Sequence, residues 1–202
     1  PVDSANYPAV TASDAGFFVV WADSDASGGE AIRGARLDAS GELLDPLGIE
    51  VAGFDADPPA PEVASDGTDF LVVWGQPEGP LSPFTYDVFG ACVTAAGEVL
   101  DPGGVAISMA TGSQGSPRVA SDGSGYLVVW DDERGGATSD VYGARVSAAG
   151  AVLDPAGLPI ATGAAAERFP DVASNDAGYL VAWQDARGAS RDVYGARVSA
   201  DG

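Results

Sequence analysis

The 202 residues predict an all-β protein, a four-bladed β-propeller made of four four-stranded antiparallel units around one axis, and three observations carry that expectation. A Trp-centred text recurs four times, with Trp21, Trp74, Trp130 and Trp183 spaced by roughly 53 to 56 residues, a period that signals repeat architecture. Each repeat reads as four short strands between Gly, Asp, Ser and Pro clusters, with no 3.6-residue periodicity long enough for a helix. The apolar runs that end in each Trp lack polar alternation, as do strands buried on both faces. Radially stacked four-stranded sheets supply such two-sided burial.

The first strand of each unit is Pro-x-Val-Ala-Ser, clearest as Pro117-Arg118-Val119-Ala120-Ser121. The second is the dense run Phe17 to Trp21 and its equivalents Phe70 to Trp74, Tyr126 to Trp130 and Tyr179 to Trp183. Between them, segments such as Ser65-Asp66-Gly67-Thr68-Asp69 have hairpin composition. The third strand is Val88 to Val93 and its counterparts, and the fourth surrounds Ile49-Glu50-Val51, Val105-Ala106-Ile107 and Pro159-Ile160-Ala161. One domain over 1–202 results, with repeats at approximately 7–53, 60–112, 116–163 and 169–202, the last completed by 1–6. Pro1-Val2 aligns with Pro159-Ile160, so the N-terminus is expected to supply the outer strand of the fourth blade and close the ring. A fragment of a larger propeller is the alternative.

Thirty acidic residues stand against nine basic ones, all Arg, for a formal charge of −21, and there is no His. That field repels nucleic-acid phosphates and anionic membranes and attracts cations. No apolar run reaches the roughly 18–20 residues that span a bilayer, so neither nucleic-acid binding nor membrane insertion is expected, and a monomer is. The single Cys92 replaces the Arg found at 36, 145 and 197, inside an alternating stretch, and reads as a buried inert thiol.

The text Trp-x-Asp-x-Arg followed by Asp-Val-Tyr occurs as Trp130 to Arg134 with Asp140-Val141-Tyr142, and as Trp183 to Arg187 with Asp192-Val193-Tyr194. It resembles blade repeats of bacterial extracellular and surface propellers. In the first two repeats it degrades to Trp21-Ala22-Asp23-Ser24-Asp25 and Trp74-Gly75-Gln76-Pro77-Glu78. The blade count is similar to that of the hemopexin-type propeller, a likeness of architecture that implies extracellular binding and a cation in the central tunnel.

Without His or Lys the commonest general base and amine nucleophile are missing, and the acidic residues recur blade by blade with no constellation found once. Asp132 with Asp140, and Asp185 with Asp192, bracket loops where oxygen ligands for Ca²⁺ can gather; pairing with Arg134 and Arg187 is the commoner use. Pro8, Pro61, Pro117 and Pro170 lack an amide donor and fit an innermost strand whose edge faces the axis. Two residues on, the main-chain carbonyls of Val10, Val63, Val119 and Val172 are then expected to ring the tunnel and hold Ca²⁺, with the Pro set as the other candidate ring. Between them lie Ala9, Glu62, Arg118 and Asp171, read as a solvated cluster at one tunnel mouth. Phe89, Tyr142 and Tyr194, with Arg33, hold equivalent third-strand positions, either packed between blades or exposed as carbohydrate-binding surfaces.

The function expected from these features is a non-catalytic extracellular or cell-surface interaction module, a cation-stabilised scaffold that binds a protein, glycan or small ligand. The alternative is a carboxylate-dependent, glycosidase-like hydrolase on the propeller scaffold.

Overall fold

A computed structural model of the chain describes residues 4–24, 29–55, 59–79, 85–136, 138–175, 177–188 and 190–202. They form fifteen strands in four antiparallel sheets, and no helix occurs among them. The first sheet runs β1 (Ser4–Ser13), β2 (Gly16–Ser24), β3 (Glu30–Asp38), β4 (Ile49–Phe54), and the second β5 (Glu62–Ser65), β6 (Phe70–Pro77), β7 (Tyr86–Val93), β8 (Val105–Ser108). The third holds β9 (Gln114–Ser121), β10 (Gly125–Asp132), β11 (Asp140–Ser147) and β12 (Leu158–Ala161); the fourth holds β13 (Glu167–Asn175), β14 (Gly178–Asp185) and β15 (Asp192–Val198). Strands follow one another in chain order within every sheet, the up-and-down meander of a propeller blade.

The first strands converge: β1 meets β5, β5 meets β9 and β9 meets β13, which makes them the innermost strands. Three of the four second strands, β2, β10 and β14, open on a glycine that no other residue replaces without a shift, whereas β6 opens on Phe70. A Cβ at Gly16, Gly125 or Gly178 would lie 2.1, 2.9 or 2.8 Å from a third-strand carbonyl oxygen.

Side chains along a strand alternate between its two neighbours, and three apolar cores result. Phe18 and Val20 of the first sheet pack with Val63, Phe70, Val72 and Trp74 of the second. Leu71 and Val73 then meet Tyr126, Val128 and Trp130, and Leu127 and Val129 meet Tyr179, Val181 and Trp183. Each dense run thus spends its odd positions on the preceding sheet and its even positions on the following one.

The recurring polar text ties the sheets internally. Buried Asp132 accepts hydrogen bonds from Trp130 Nε1 (2.7 Å), Arg134 N (2.9 Å), Nε (2.8 Å) and Nη2 (2.7 Å). The Arg134 guanidinium lies 4.0 Å from the Tyr142 ring centroid, and Arg187 stands 4.1 Å over Tyr194 in the same way. Asp185 repeats the role for Trp183 and Arg187, whose cation holds its carboxyl down at about 2. The Leu-Asp-Pro text is a second clasp: Asp45 pairs with Arg36 at 2.7 Å and Asp154 with Arg145 at 2.7 Å.

Residues Pro1 and Val2, expected to complete the fourth sheet, lie outside the described residues. Ser4, Ala5 and Asn6 pair with Ser24, Asp23 and Ala22 in the first sheet, and the described fourth sheet has three strands.

Candidate functional site

Bulges shape three of the innermost strands, β1, β9 and β13. Register breaks between Asn6 and Ala9, opposite Trp130 in β9, and between Arg168 and Asp171. At each break a residue before proline adopts a left-handed backbone: Tyr7 (φ 53°), Ser116 (φ 52°) and Phe169 (φ 55°). Such a conformation costs about 1–3 kcal/mol for a non-Gly residue, and the residue before a proline is ordinarily held extended. Bulges of this kind re-aim side chains and release amides from the ladder.

The amide released at Phe169 is put to use. It donates to Asp131 Oδ1 at 2.8 Å, from the fourth sheet to the end of β10 in the third. Burial pushes the Asp131 carboxyl up to about 6 against the opposing pull of that amide and of Arg168 and Arg118, with Glu133 adding to the rise. Arg118, on β9, ion-pairs with Glu62 on β5 at 2.9 Å. Burial also raises Glu62, opposed by Arg118 and reinforced by the charge of Asp171. Arg168 reaches Glu133 at 3.8 Å. Arg118 therefore acts on both Asp131 and Glu62, which joins the third sheet's carboxyl to the second sheet's in one electrostatic cluster.

Beside this cluster opens a depression of ≈ 740 Å³ across the first three sheets. Arg118 lines it together with Asn6, Ser24 and Ser116. Its size lies within the range of small-molecule pockets, and its wall alternates hydroxyl, amide and apolar groups.

The cluster breaks the repeat. The residue after each Trp is Ala22, Gly75, Asp131 and Gln184, so a carboxylate stands there once; Glu133 and Arg168 are equally without equivalents. Sequence reasoning placed Glu62, Arg118 and Asp171 together as a solvated group, and Asp171 is exposed and the other two partly so, but it passed over Asp131. The signal was a single acidic residue at a position otherwise Ala, Gly or Gln.

Of the axial candidates, Val10, Val63, Val119 and Val172 occupy matching register positions, opposite Val19, Val72, Val128 and Val181. Pro8, Pro117 and Pro170 sit inside the bulges and Pro61 directly precedes β5, so three of the missing amides fall where the ladder is already interrupted. Asp132 and Asp185 are taken by Arg134 and Arg187, while Asp140 shares a hydrogen bond with Glu167. Among the described residues no group of three or more Asp, Glu, Cys or His side chains is placed to hold a metal. Tyr142 is half-buried beneath Arg134, and Cys92 is buried.

Fold and bulged inner strands define a β-propeller. No protein-family pattern and no curated protein matches the chain. Solved structures do, at the level of fold. A neuraminidase-like protein from A/bat/Guatemala/164/2009 superposes with a TM-score of 0.61 and 12% identity over 97% of this chain and 52% of that one. The α-L-arabinofuranosidase from Lactobacillus brevis gives 0.52 and 12% over 99% of this chain and 73% of that one, and a thermostable family-43 glycoside hydrolase gives 0.50 and 12% over 97% and 70%. The chain spans about half the length of the neuraminidase-like protein.

These findings correct the expectation of a non-catalytic binding module. Two of the propellers that this chain resembles are glycoside hydrolases, and the ground for setting catalysis aside, the absence of a constellation found once, does not hold around Asp131.

Proposed function

We propose that the chain is a carboxylate-dependent, glycosidase-like hydrolase whose reaction takes place at the inner mouth between the second, third and fourth sheets. The observation that carries this reading is Asp131, a carboxyl raised to about 6 by burial while it is held in place by the Phe169 amide. A raised carboxyl keeps a proton to give to a glycosidic oxygen near neutral pH, and a second carboxyl completes the pair that such hydrolysis uses. Glu62, anchored by Arg118, is the second carboxyl, with Asp171 beside it. The fold likeness to two glycoside hydrolases supports the reading.

The test is hydrolysis of a panel of aryl glycosides by the purified chain across pH. Turnover is expected to fall as pH rises through about 6, and Asp131→Asn is expected to lower kcat by roughly 100-fold or more with the fold intact. Absence of hydrolysis across the panel, or an Asp131→Asn variant as active as the parent, refutes it.

An axial Ca²⁺ held by the carbonyls of Val10, Val63, Val119 and Val172 belongs to the same proposal, supported by their equivalent register. Chelation is then expected to lower the melting temperature and to release calcium; no bound ion and no shift removes it.

A further inference from the structure

The clasp that the third and fourth sheets share is reversed in charge in the second. Four residues after Trp130 and Trp183 stand Arg134 and Arg187; four residues after Trp74 stands Glu78. Arg134 pairs with Asp132, and its charge also acts on Asp140 at the start of β11. The second-sheet equivalents of Asp132 and Asp140 are Gln76, which accepts from Trp74 Nε1 at 3.1 Å, and Asp87. Asp87 is only 7% exposed, and among the described residues no Arg pairs with it or with Glu78. Burial, and after it the negative charge of Glu78, raise the Asp87 carboxyl above its ordinary value.

A second oxygen at this joint is unpaired. Tyr86 N donates to Ser113 Oγ (3.2 Å) between the second and third sheets, which sets the residues that follow, Asp87 and Gln114, side by side. Their equivalents between the third and fourth sheets, Asp140 and Glu167, share a hydrogen bond. Gln114 is wholly buried, and its amide nitrogen donates to the carbonyls of Ala110 (3.0 Å) and Gly112 (2.6 Å). Those two carbonyls need a donor, so the orientation of the amide is fixed. Its Oε1 is the one buried side-chain polar atom without a hydrogen-bond partner among the described residues, on the side where Glu167 meets Asp140 in the next joint. An ionised carboxylate and an amide oxygen both accept, and neither satisfies the other.

We infer that Ca²⁺ takes the place of the missing guanidinium, bound by the Asp87 and Glu78 carboxylates and by Gln114 Oε1. Hard cations take such oxygens, and water fills the remaining positions on the exposed side of Glu78. The ion offsets the repulsion between two carboxylates and gives the buried amide oxygen a partner, and the charge of −21 concentrates cations around the chain. Because the third ligand is an amide, the set is not a cluster of three acidic side chains; the comparison of Arg134 and Arg187 with Glu78 reveals it. Two charged ligands place the affinity in the weak range, about 10⁻⁴–10⁻³ M.

Calcium titration of the whole, chelator-treated chain tests this, followed by thermal unfolding and by the NMR signal of the Gln114 side-chain amide. About 10 mM calcium is expected to raise the melting temperature by roughly 3–10 °C and to shift the Gln114 amide with the same affinity. Asp87→Asn supplies an amide that donates to Gln114 Oε1, so it is expected to fold and to bind calcium here roughly 10-fold more weakly or less. Glu78→Arg restores the residue of the other two sheets and is expected to raise the metal-free melting temperature while removing the calcium response at Gln114. An axial ion is held by main-chain carbonyls, so its share of the response persists in both variants. No calcium binding, a Gln114 amide indifferent to calcium, or the same calcium response in the parent and both variants overturns the proposal. So does a calcium-independent melting temperature that rises as pH falls only while Asp87 is present, which makes a proton the bridge to Gln114.

Discussion

Replacing Asp132 by Ala removes the acceptor shared by four donors: Trp130 Nε1 and the N, Nε and Nη2 of Arg134. Trp130 is wholly buried, so its N–H is left without water, at about 1–3 kcal/mol. The Arg134 guanidinium is partly exposed and keeps the Ala156 carbonyl (2.6 Å) and the Tyr142 ring, which limits its share and that of the backbone amide to about 2 kcal/mol together. The expected loss is therefore about 3–5 kcal/mol, the range for breaking a buried ion pair from one side. In a domain of this size each kcal/mol moves the melting temperature by about 2–4 °C, which gives a fall of roughly 6–20 °C. Calorimetry and urea titration monitored by Trp fluorescence measure it. Asp23→Ala is the internal control, because Asp23 meets Trp21 at 3.3 Å and Arg33 at 2.9 Å on a half-exposed edge and is worth at most about 1 kcal/mol. An Asp132→Ala variant no less stable than Asp23→Ala would refute the claim that the recurring Trp-Asp-Arg text is a structural clasp.

The remaining predictions concern buried titratable groups. Burial and the neighbouring Asp185 and Asp140 raise Glu167 above 4.5, so its contribution to stability is complete below that pH and is lost as pH rises through the folded value. Glu167→Gln is expected to flatten that fall in melting temperature, because Gln114 occupies the equivalent place in the third sheet and donates to the carbonyls of Ala110 and Gly112; an unchanged pH profile counts against it. Burial first, and the charges of Asp101, Asp69 and Asp66 after it, push the Cys92 thiol up to about 11. A thiol reagent is expected to modify Cys92 only after denaturation, and rapid labelling of the folded chain would contradict this.

Most of the sheet architecture was legible because it rests on periodicity. The unbroken apolar runs reported two-sided burial, and the structure buries Leu71, Val73, Leu127 and Val129 towards one neighbour and Phe70, Val72, Tyr126 and Val128 towards the other. Two things were not legible. The exposure of Leu180 and Phe17 depends on what lies beyond an end sheet, and identical local text is buried or open accordingly. The left-handed backbone at Tyr7, Ser116 and Phe169 runs against the extended preference of residues before proline. A recurring Pro suggested the innermost strand, where β1, β9 and β13 place it, but not the bulge in which it lies there.

The bulge explains why a raised, amide-bound carboxyl stands at one joint of an otherwise repeated structure. Phe169 turns its amide towards the residue that follows Trp in the preceding sheet. For Ser116 that residue is Gly75, and for the segment before Pro61 it is Ala22; neither side chain can accept a hydrogen bond. Asp131 can, and the bulge orients it while leaving its burial uncompensated enough to raise its proton affinity. The scaffold supplies the same strained amide in three sheets, and a single carboxylate gives one of them an acceptor, Asp131, which is the acid of the proposed hydrolase. Arg118 and Arg168 bound its rise, since a carboxyl without them would stay protonated over a wider range and lose the balance between holding and releasing a proton that acid catalysis needs.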